Sequence, residues 1–137
     1  MTVHFAAHLS QSQPVKARRA RGQVANLFGR SAEDSVARRY EADGGVVLHR
    51  RWRGRGGEID MIVQDGDELV FVEVKAARSF GQAMASLRPR QVQRICMAGQ
   101  EFAGTQPRGL LSPMRFDLAA VDGQGQVQIL PNAFDEF

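Results

Sequence analysis

Residues 58–75, with the sequence EIDMIVQDGDELVFVEVK, contain two apolar runs joined by a turn at Asp65-Gly66-Asp67. Runs this rich in Ile, Val and Phe predict the two strands of a hairpin that is half or fully buried. Three ionisable residues, Asp60, Glu73 and Lys75, interrupt these runs. Because a buried charge is costly unless it is paired or holds a metal, the stretch predicts a candidate site as well as a hairpin.

The turn decides whether these three side chains can meet. Side chains alternate along a strand, so Glu73 and Lys75 share one face of the second strand. A two-residue turn within Asp65-Gly66-Asp67 places Asp60 opposite either Phe71 or Glu73, and in both cases on that same face. A three-residue loop would turn Asp60 to the other face. We expect the two-residue turn, with the three groups within reach of one another.

The types of these residues favour metal-dependent chemistry. Two carboxylates in a partly dry site repel each other unless they share a proton or a cation. Hard oxygen ligands that leave coordination positions open favour Mg²⁺ or Mn²⁺, so Asp60 and Glu73 are the predicted metal ligands. Lys75 is then expected to position the attacking water or to stabilise developing charge, as in phosphodiester hydrolysis. The alternative is a buried ion pair between Lys75 and one of the two acids.

The rarity of lysine in the chain supports a functional role for Lys75. Of 18 basic residues only Lys16 and Lys75 are lysines, and all the others are arginines. Lysine is a compact charge with a movable proton, which suits a catalytic position better than a bidentate clamp.

The distribution of positive charge predicts a polyanionic partner. The 137 residues carry a net charge of +3, and no acidic residue precedes Glu33. A basic surface beside carboxylates suits a polyanion that is bound and then cut, whereas a solvated face is the favoured interpretation of the N-terminal cluster alone. The predicted nucleic-acid-binding residues are Arg50, Arg51, Arg53, Arg55 and Arg78.

Length and composition predict one domain over residues 23–137, preceded by a basic arm over residues 1–22. Cys96 is the only cysteine, so we expect no intrachain disulfide and a cytoplasmic, reducing setting. No apolar run approaches the roughly 18 residues of a membrane span. The Arg-rich start slightly resembles an organelle-targeting sequence, and we interpret it as the basic arm.

Helical and strand periodicities predict the remaining elements. An apolar stripe at residues 20–28 predicts helical structure there, and Ser31 to Asp43 predicts a helix with a capping box at Ser31 and Asp34. Glu33 lies on the apolar face of that helix and is expected to point inward. The other predicted elements are a strand at Val46–Arg53 with a basic face of His49, Arg51 and Arg53, a loop at Ala76–Leu87, a helix at Pro89–Ala103, and strands at Arg115–Asp122 and Gln126–Leu130. The predicted order is α-β-β-β-α-β-β, a small α/β sandwich with a mixed sheet.

The acidic residues of the hairpin also carry a family resemblance. Asp60 followed by Glu73-Val-Lys75 is similar to the motif of the PD-(D/E)xK nuclease superfamily, which has the restriction-endonuclease-like fold. Over about residues 22–134 the chain resembles the YraN-like family of small bacterial proteins predicted to be endonucleases. The matching segments are Gly29-x-x-Ala-Glu33, Tyr40, Gly57-Glu-Ile-Asp60, Asp65-Gly66, Leu69-Val-Phe-Val-Glu-Val-Lys75 and Arg115-Phe-Asp117.

This resemblance implies a metal-dependent endonuclease for structured or branched DNA, with DNA favoured over RNA. Holliday-junction resolvases share the layout, with a glutamate on an N-terminal helix, so the resemblance implies Glu33 as a further acidic member of the catalytic site. The chain departs from the family at Ala76 and Ala77, where a Thr-Arg pair is expected, and at Gln91, where lysine is common. A homodimer is compatible with an enzyme that addresses two strands.

Two rival functions and four residues stay open at this level. A non-catalytic nucleic-acid-binding module that retains the nuclease fold is the main alternative, and an assembly adaptor that contacts an acidic partner is the other. Glu58 suits both the site and the surface, His49 is interpreted as a surface residue and Cys96 as core. Asp117 either follows the family pattern or fastens Arg115 or the sheet edge.

Overall fold

The computed structural model describes residues 30–136, with side chains up to Phe134. The predicted basic arm and the helical stripe at residues 20–28 lie outside the described residues.

Three helices, five strands and two short 3-10 turns make up the described part of the chain. The helices are α1 (residues 30–42), α2 (Phe80–Ser86) and α3 (Pro89–Gly104). The strands are β1 (Val46–Arg53), β2 (Glu58–Asp65), β3 (Glu68–Ala76), β4 (Met114–Val121) and β5 (Val127–Leu130), and the 3-10 turns are Gly109–Leu111 and Ala133–Glu136. None of the helices in this part of the chain has the length and apolarity needed to span a bilayer.

The strands form one mixed sheet in the order β1-β2-β3-β4-β5. All neighbouring strands are antiparallel except β3 and β4, which are parallel and are connected through α2 and α3. A parallel pair needs such a crossover because both strands run in the same direction. The result is a mixed α/β sandwich with the restriction-endonuclease-like architecture that the sequence predicts.

Helices α1 and α3 cover opposite faces of the sheet. The apolar stripe predicted for α1 is confirmed, and it packs against the valines of β2 and β3 through Ala32, Val36, Ala37 and Tyr40. On the other face, α3 packs against isoleucine, leucine and phenylalanine side chains of β2 and β3 through Ala98, Phe102 and Ala103. The two faces are named here the α1 face and the α3 face.

The hairpin of β2 and β3 has the two-residue turn that the sequence predicts. Asp65 pairs with Glu68 around Gly66-Asp67, and the register continues to Met61 opposite Val72. Gly66 has a φ of 59°, which an L residue adopts only with strain and which hairpin turns of this length require. One step beyond Met61, this register brings Asp60 to Glu73.

The prediction of a loop over Ala76–Leu87 is wrong for its second half, which forms α2. Ser79 acts as the N-cap, since its Oγ accepts a hydrogen bond of 3.1 Å from Gln82 N. Ala83 is fully buried, with Phe80, Met84 and Leu87 packed in the same apolar cluster. The spacing of these residues is helical, but the many small residues of the segment hide it.

Two local predictions on α1 and β1 are also wrong. Arg30 is already helical, so Ser31 is not the N-cap of α1. In β1 the predicted alternation fails because the register with β2 shifts between Val47 and His49, a β-bulge. His49 and Trp52, three residues apart, both contact Phe102, each with a ring-centroid distance of 5.4 Å, so the alternation also breaks between them.

Candidate active site

Three charged side chains from the hairpin converge at one place between β2, β3 and α3. Asp60, Glu73 and Lys75 are all buried, with at most 8% of each residue exposed. Lys75 Nζ lies 3.5 Å from Glu73 Oε2. The same oxygen accepts a hydrogen bond of 2.6 Å from Gln91 Nε2, at the start of α3. The structure therefore brings together the three residues on which the sequence argument rests.

The position of Asp60 follows from an interruption of the β2–β3 ladder. Backbone pairing between β2 and β3 runs as far as Met61 opposite Val72. Beyond this pair the Asp60 side chain contacts β3 instead, because its Oδ2 accepts a hydrogen bond of 2.9 Å from Val74 N. Ile59 and Ile62, three residues apart, pack in the same cluster on the α3 face. Strict alternation would put them on opposite faces, so β2 is irregular at Asp60. This irregularity aims the carboxylate at β3.

Burial and crowding together perturb the titration of Glu73. The pKa of Glu73 is raised well above its ordinary range, first by burial and then by the charge and hydrogen bond of Asp60, while Lys75 partly offsets the rise. Two such carboxyl groups share a proton unless a cation lies between them. Within residues 30–136, no set of three or more His, Cys, Asp or Glu side chains is gathered as a metal site. Any ion here would take its protein ligands from Asp60 and Glu73.

Glu33 lies beside this pair, and among the described residues it makes no direct hydrogen bond or ion pair with Asp60 or Glu73. Its side chain is 12% exposed, as the inward orientation predicted from α1 requires. Arg51 Nε donates to its carboxylate at 3.1 Å and 3.4 Å. Burial raises the pKa of Glu33, Arg51 lowers it and the charge of Asp60 raises it further. Glu33 is thus close enough to sense Asp60, but its direct partner is Arg51.

The predicted basic residues fall into two groups. Each arginine of β1 is held in an ion pair: Arg50 with Asp34, Arg51 with Glu33, and Arg53 with Glu58 at 3.2 Å. Arg55 and Arg78 are exposed, and neither side chain has an ion pair among the residues that the structure describes. Nucleic-acid binding by all five arginines remains a prediction.

Comparison with known proteins identifies the family of the chain. Residues 32–121 match the family described as Uncharacterised protein family UPF0102. The chain belongs to the UPF0102 family. This is the YraN-like group that the sequence resembles, so that prediction is confirmed.

Relatives match the chain over most of its length. A UPF0102 protein of Ruegeria pomeroyi is 52% identical over 120 residues, which cover 88% of this chain and 98% of the relative. A UPF0102 protein of Roseobacter denitrificans is 46% identical over 128 residues, covering 93% and 99%. A third, from Cereibacter sphaeroides, is 48% identical over 113 residues, covering 82% and 97%.

Sequence reasoning missed the contact that Gln91 makes in this UPF0102 site. The residue looks like the loss of a family lysine, yet its amide donates directly to Glu73. A signal was present in the spacing, because Gln91 precedes the buried Ile95 by one helical turn and therefore shares its inward face.

Asp117 anchors a separate polar cluster of the UPF0102 fold. It is fully buried and accepts hydrogen bonds from Tyr40 Oη at 2.8 Å, Arg115 Nε at 3.1 Å and Asn132 N at 3.2 Å. Burial, followed by the charge of Asp117, raises the pKa of Tyr40. These bonds tie β4 to α1 and to the chain after β5. Asp117 therefore fastens Arg115, as one of the open interpretations predicts.

The three remaining open residues have other partners within the described part of the chain. Glu58 is exposed and bonded to Arg53. His49 is exposed and lies edge-on to Phe102. Cys96 is partly buried and packs against an apolar cluster on α3.

Proposed function

We propose that this UPF0102 protein is a metal-dependent endonuclease that hydrolyses phosphodiester bonds in structured or branched DNA. The observation that carries the proposal is the convergence of Asp60, Glu73 and Lys75 in a buried position on the two strands of one hairpin. A buried ion pair stabilises a fold poorly, because desolvation consumes most of the attraction between the charges. Packing alone therefore does not account for three ionisable groups here, and clustered, perturbed groups are commonest at functional positions.

The donor set suits a Mg²⁺ or Mn²⁺ ion. Asp60 and Glu73 offer hard oxygen ligands, and burial together with the nearby Asp60 raises the pKa of Glu73 although Lys75 partly offsets the rise. When bound, such an ion polarises a phosphate oxygen and lowers the pKa of the attacking water.

The protein's own groups have distinct roles in this proposal. Lys75 orients the attacking water or stabilises charge that develops on the phosphate, since its ammonium lies 3.5 Å from the ligand Glu73. Gln91 holds one oxygen of Glu73 by a hydrogen bond and thereby limits its rotation. Glu33 adds a further carboxylate, and its charge interacts electrostatically with that of Asp60.

Space for a substrate adjoins these residues. A cavity of about 550 Å³ is lined by Ala77, Arg78, Phe80, Ala120 and neighbouring side chains. Ala120 is paired with Lys75 across the parallel strands, so the cavity lies next to the end of β3 that carries the site. Arg78 brings a positive charge to its rim, which favours a polyanion.

A nucleic-acid-binding module without catalysis is the second candidate. It is favoured by the small number of acidic groups at the site. Among residues 30–136, no third His, Cys, Asp or Glu side chain is gathered with Asp60 and Glu73 as a metal site. Under this alternative, Lys75 serves as the counter-charge of Glu73 and the basic surfaces bind nucleic acid.

One assay separates the two functions. Labelled junction, flap, single-stranded and duplex DNA, with RNA counterparts, are incubated with the protein and Mg²⁺ or Mn²⁺. We expect cleavage by the wild type and its loss in Lys75→Ala and Asp60→Asn, with Glu58→Gln, an exposed carboxylate on the same strand, as the active control. Cleavage that survives in both site variants contradicts the proposal, and salt-sensitive binding without cleavage supports the module.

Two further features belong to the same proposal. We propose a cytoplasmic setting, which the single cysteine favours. A homodimer would allow two strands to be addressed together, and light scattering with and without DNA measures it.

A further inference from the structure

The N-cap and the first two turns of α3 carry three exposed arginines that folding does not explain. Arg88, Arg90 and Arg94 are exposed, and none has an ion pair within the described part of the chain. No acidic residue occupies the first turn, and no side chain caps it. A helix N-terminus carries partial positive charge, so arginines there lower the stability of the helix. An anionic partner would offset this cost.

These arginines border the candidate active site. Gln91 lies in the same two turns of α3, and its amide donates to Glu73 at 2.6 Å. A polyanion that binds Arg90 and Arg94 is therefore held within one or two helical turns of the residue that contacts the reacting pair.

The β1–β2 loop adds a fourth arginine to this region. Arg55 N donates to Glu101 Oε1 at 2.9 Å, which ties the loop to α3. A Cβ placed on Gly57 would lie 3.5 Å from Arg94 Cβ, so the same loop also packs against the start of the helix. The exposed Arg55 side chain consequently projects from a loop that lies alongside Arg94.

The arginines of β1 differ from these four. Arg50, Arg51 and Arg53 are already paired with Asp34, Glu33 and Glu58, so part of their positive charge is balanced before a phosphate arrives. An unpaired arginine exchanges only water and loosely held counterions for a phosphate, so its full charge is available for binding.

We propose that Arg55, Arg88, Arg90 and Arg94, named here the α3 surface, bind the phosphate backbone of the DNA substrate, and that the arginines of β1 contribute little to binding. This inference rests on the proposed function for the identity of the polyanion. The main nucleic-acid contact then lies at α3, the helix that contacts Glu73, and not on β1, the strand that the sequence favours.

Two matched double variants test the α3 surface. Arg90→Gln/Arg94→Gln and Arg50→Gln/Arg53→Gln each remove two charges. Binding of a fluorescent DNA junction is measured in EDTA between about 50 and 200 mM salt, with RNA as a second probe. We expect the α3 variant to bind at least about tenfold more weakly, with its salt slope reduced by about two, and the β1 variant to stay within about threefold of wild type.

Thermal unfolding provides the control for folding. The α3 variant loses cations from the positive end of a helix and is expected to melt at the same or a higher temperature. The β1 variant loses two ion pairs and is expected to melt at the same or a lower temperature.

The outcomes separate this inference from the proposed function. A larger loss of binding in the β1 variant, or equal losses in both, overturns the α3 surface while cleavage by the wild type upholds the nuclease. Selective loss in the α3 variant supports the surface even where no cleavage is detected. Absence of DNA binding by the wild type at the lowest salt overturns the α3 surface and directs attention to an acidic protein.

Discussion

At the scale of single residues, Lys75 and Glu73 are the side chains whose presence costs the fold most. Both are buried on a strand whose other inward positions are apolar, and the ammonium has one carboxylate partner at 3.5 Å in the described part of the chain. Asp60 lies close enough to raise the pKa of Glu73. Removing the ions from water costs several kcal/mol for each, which their attraction only partly returns. Such a group is retained where chemistry requires it.

Glu73→Gln is expected to flatten the pH dependence of stability in the absence of metal. Because folding raises the pKa of Glu73, the folded chain binds more protons than the unfolded chain between the ordinary pKa of glutamate and the raised value. The free energy of unfolding of the wild type therefore falls as the pH rises through this window. The variant lacks the part of this fall that comes from the Glu73 carboxyl group.

Urea unfolding in EDTA at about pH 5 and about pH 8 measures the difference. Glu58→Gln, which alters an exposed carboxylate, is expected to keep the wild-type slope. Equal slopes in wild type and Glu73→Gln would show that the two carboxyl groups do not interact as described.

At the scale of elements, β1 and α3 depend on close backbone geometry. Arg51 has a φ of 53°, a left-handed conformation that strains any residue with a Cβ and that turns its guanidinium to Glu33. In α3, a Cβ on Gly99 would lie 2.8 Å from the ring of Phe116 and 3.0 Å from that of Phe71. The bulged strand and the tightly packed helix together hold the site from two sides.

Arg51→Gly is expected to be more stable than Arg51→Ala by about 1 kcal/mol, because both variants lose the ion pair but only glycine relieves the left-handed strain. This reverses the usual order in a strand, where glycine is the weaker residue. Chemical denaturation of the two variants provides the comparison. A more stable alanine variant would mean that the backbone at this position is not strained.

Gly99→Ala is expected to lower the free energy of unfolding by about 1 to 3 kcal/mol, because the added methyl group collides with two aromatic rings that cannot move far in a packed core. Gly104→Ala in the same helix is the control, since nothing lies within 4 Å of its Cβ position. That change should be neutral or slightly stabilising. Similar losses in both variants would contradict the packing described for α3.

At the scale of the whole molecule, the sheet brings the site together where regular pairing of β2 and β3 stops. The α1 face contributes Glu33, the α3 face contributes Gln91, and the hairpin between them contributes Asp60, Glu73 and Lys75. Three elements distant in sequence thus meet at one point, and a ligand bound there stabilises the folded chain as a unit.

Addition of Mn²⁺ at about 100 times its dissociation constant is expected to stabilise the folded protein by about 2.7 kcal/mol, which raises the melting temperature by roughly 5 to 10 °C. Asp60→Asn should lose most of this shift, while Glu58→Gln should retain it. Differential scanning calorimetry with and without the ion measures the effect. A shift of the same size in Asp60→Asn would place the bound ion elsewhere.

The hairpin could be predicted from sequence because its determinants are local. Alternation of apolar residues, a Gly in a short turn and the inward position of Glu33 each depend on neighbours a few residues away. The bulge in β1 and the left-handed Arg51 could not be predicted, since they arise from the register between strands and from contacts with α1. Helix α2 was missed because its small residues give a weak apolar pattern.

The sequence by itself determined the strands, the main helices, the turn that aligns Asp60 with Glu73, and membership of the UPF0102 family. Only the tertiary structure decided which arginines are already neutralised by acids and which are free of ion pairs in the described chain. It also decided that Gln91 contacts Glu73. The physical reason is range: periodicity and turn chemistry act within one element, whereas ion pairs and hydrogen bonds between elements depend on how the helices pack on the sheet.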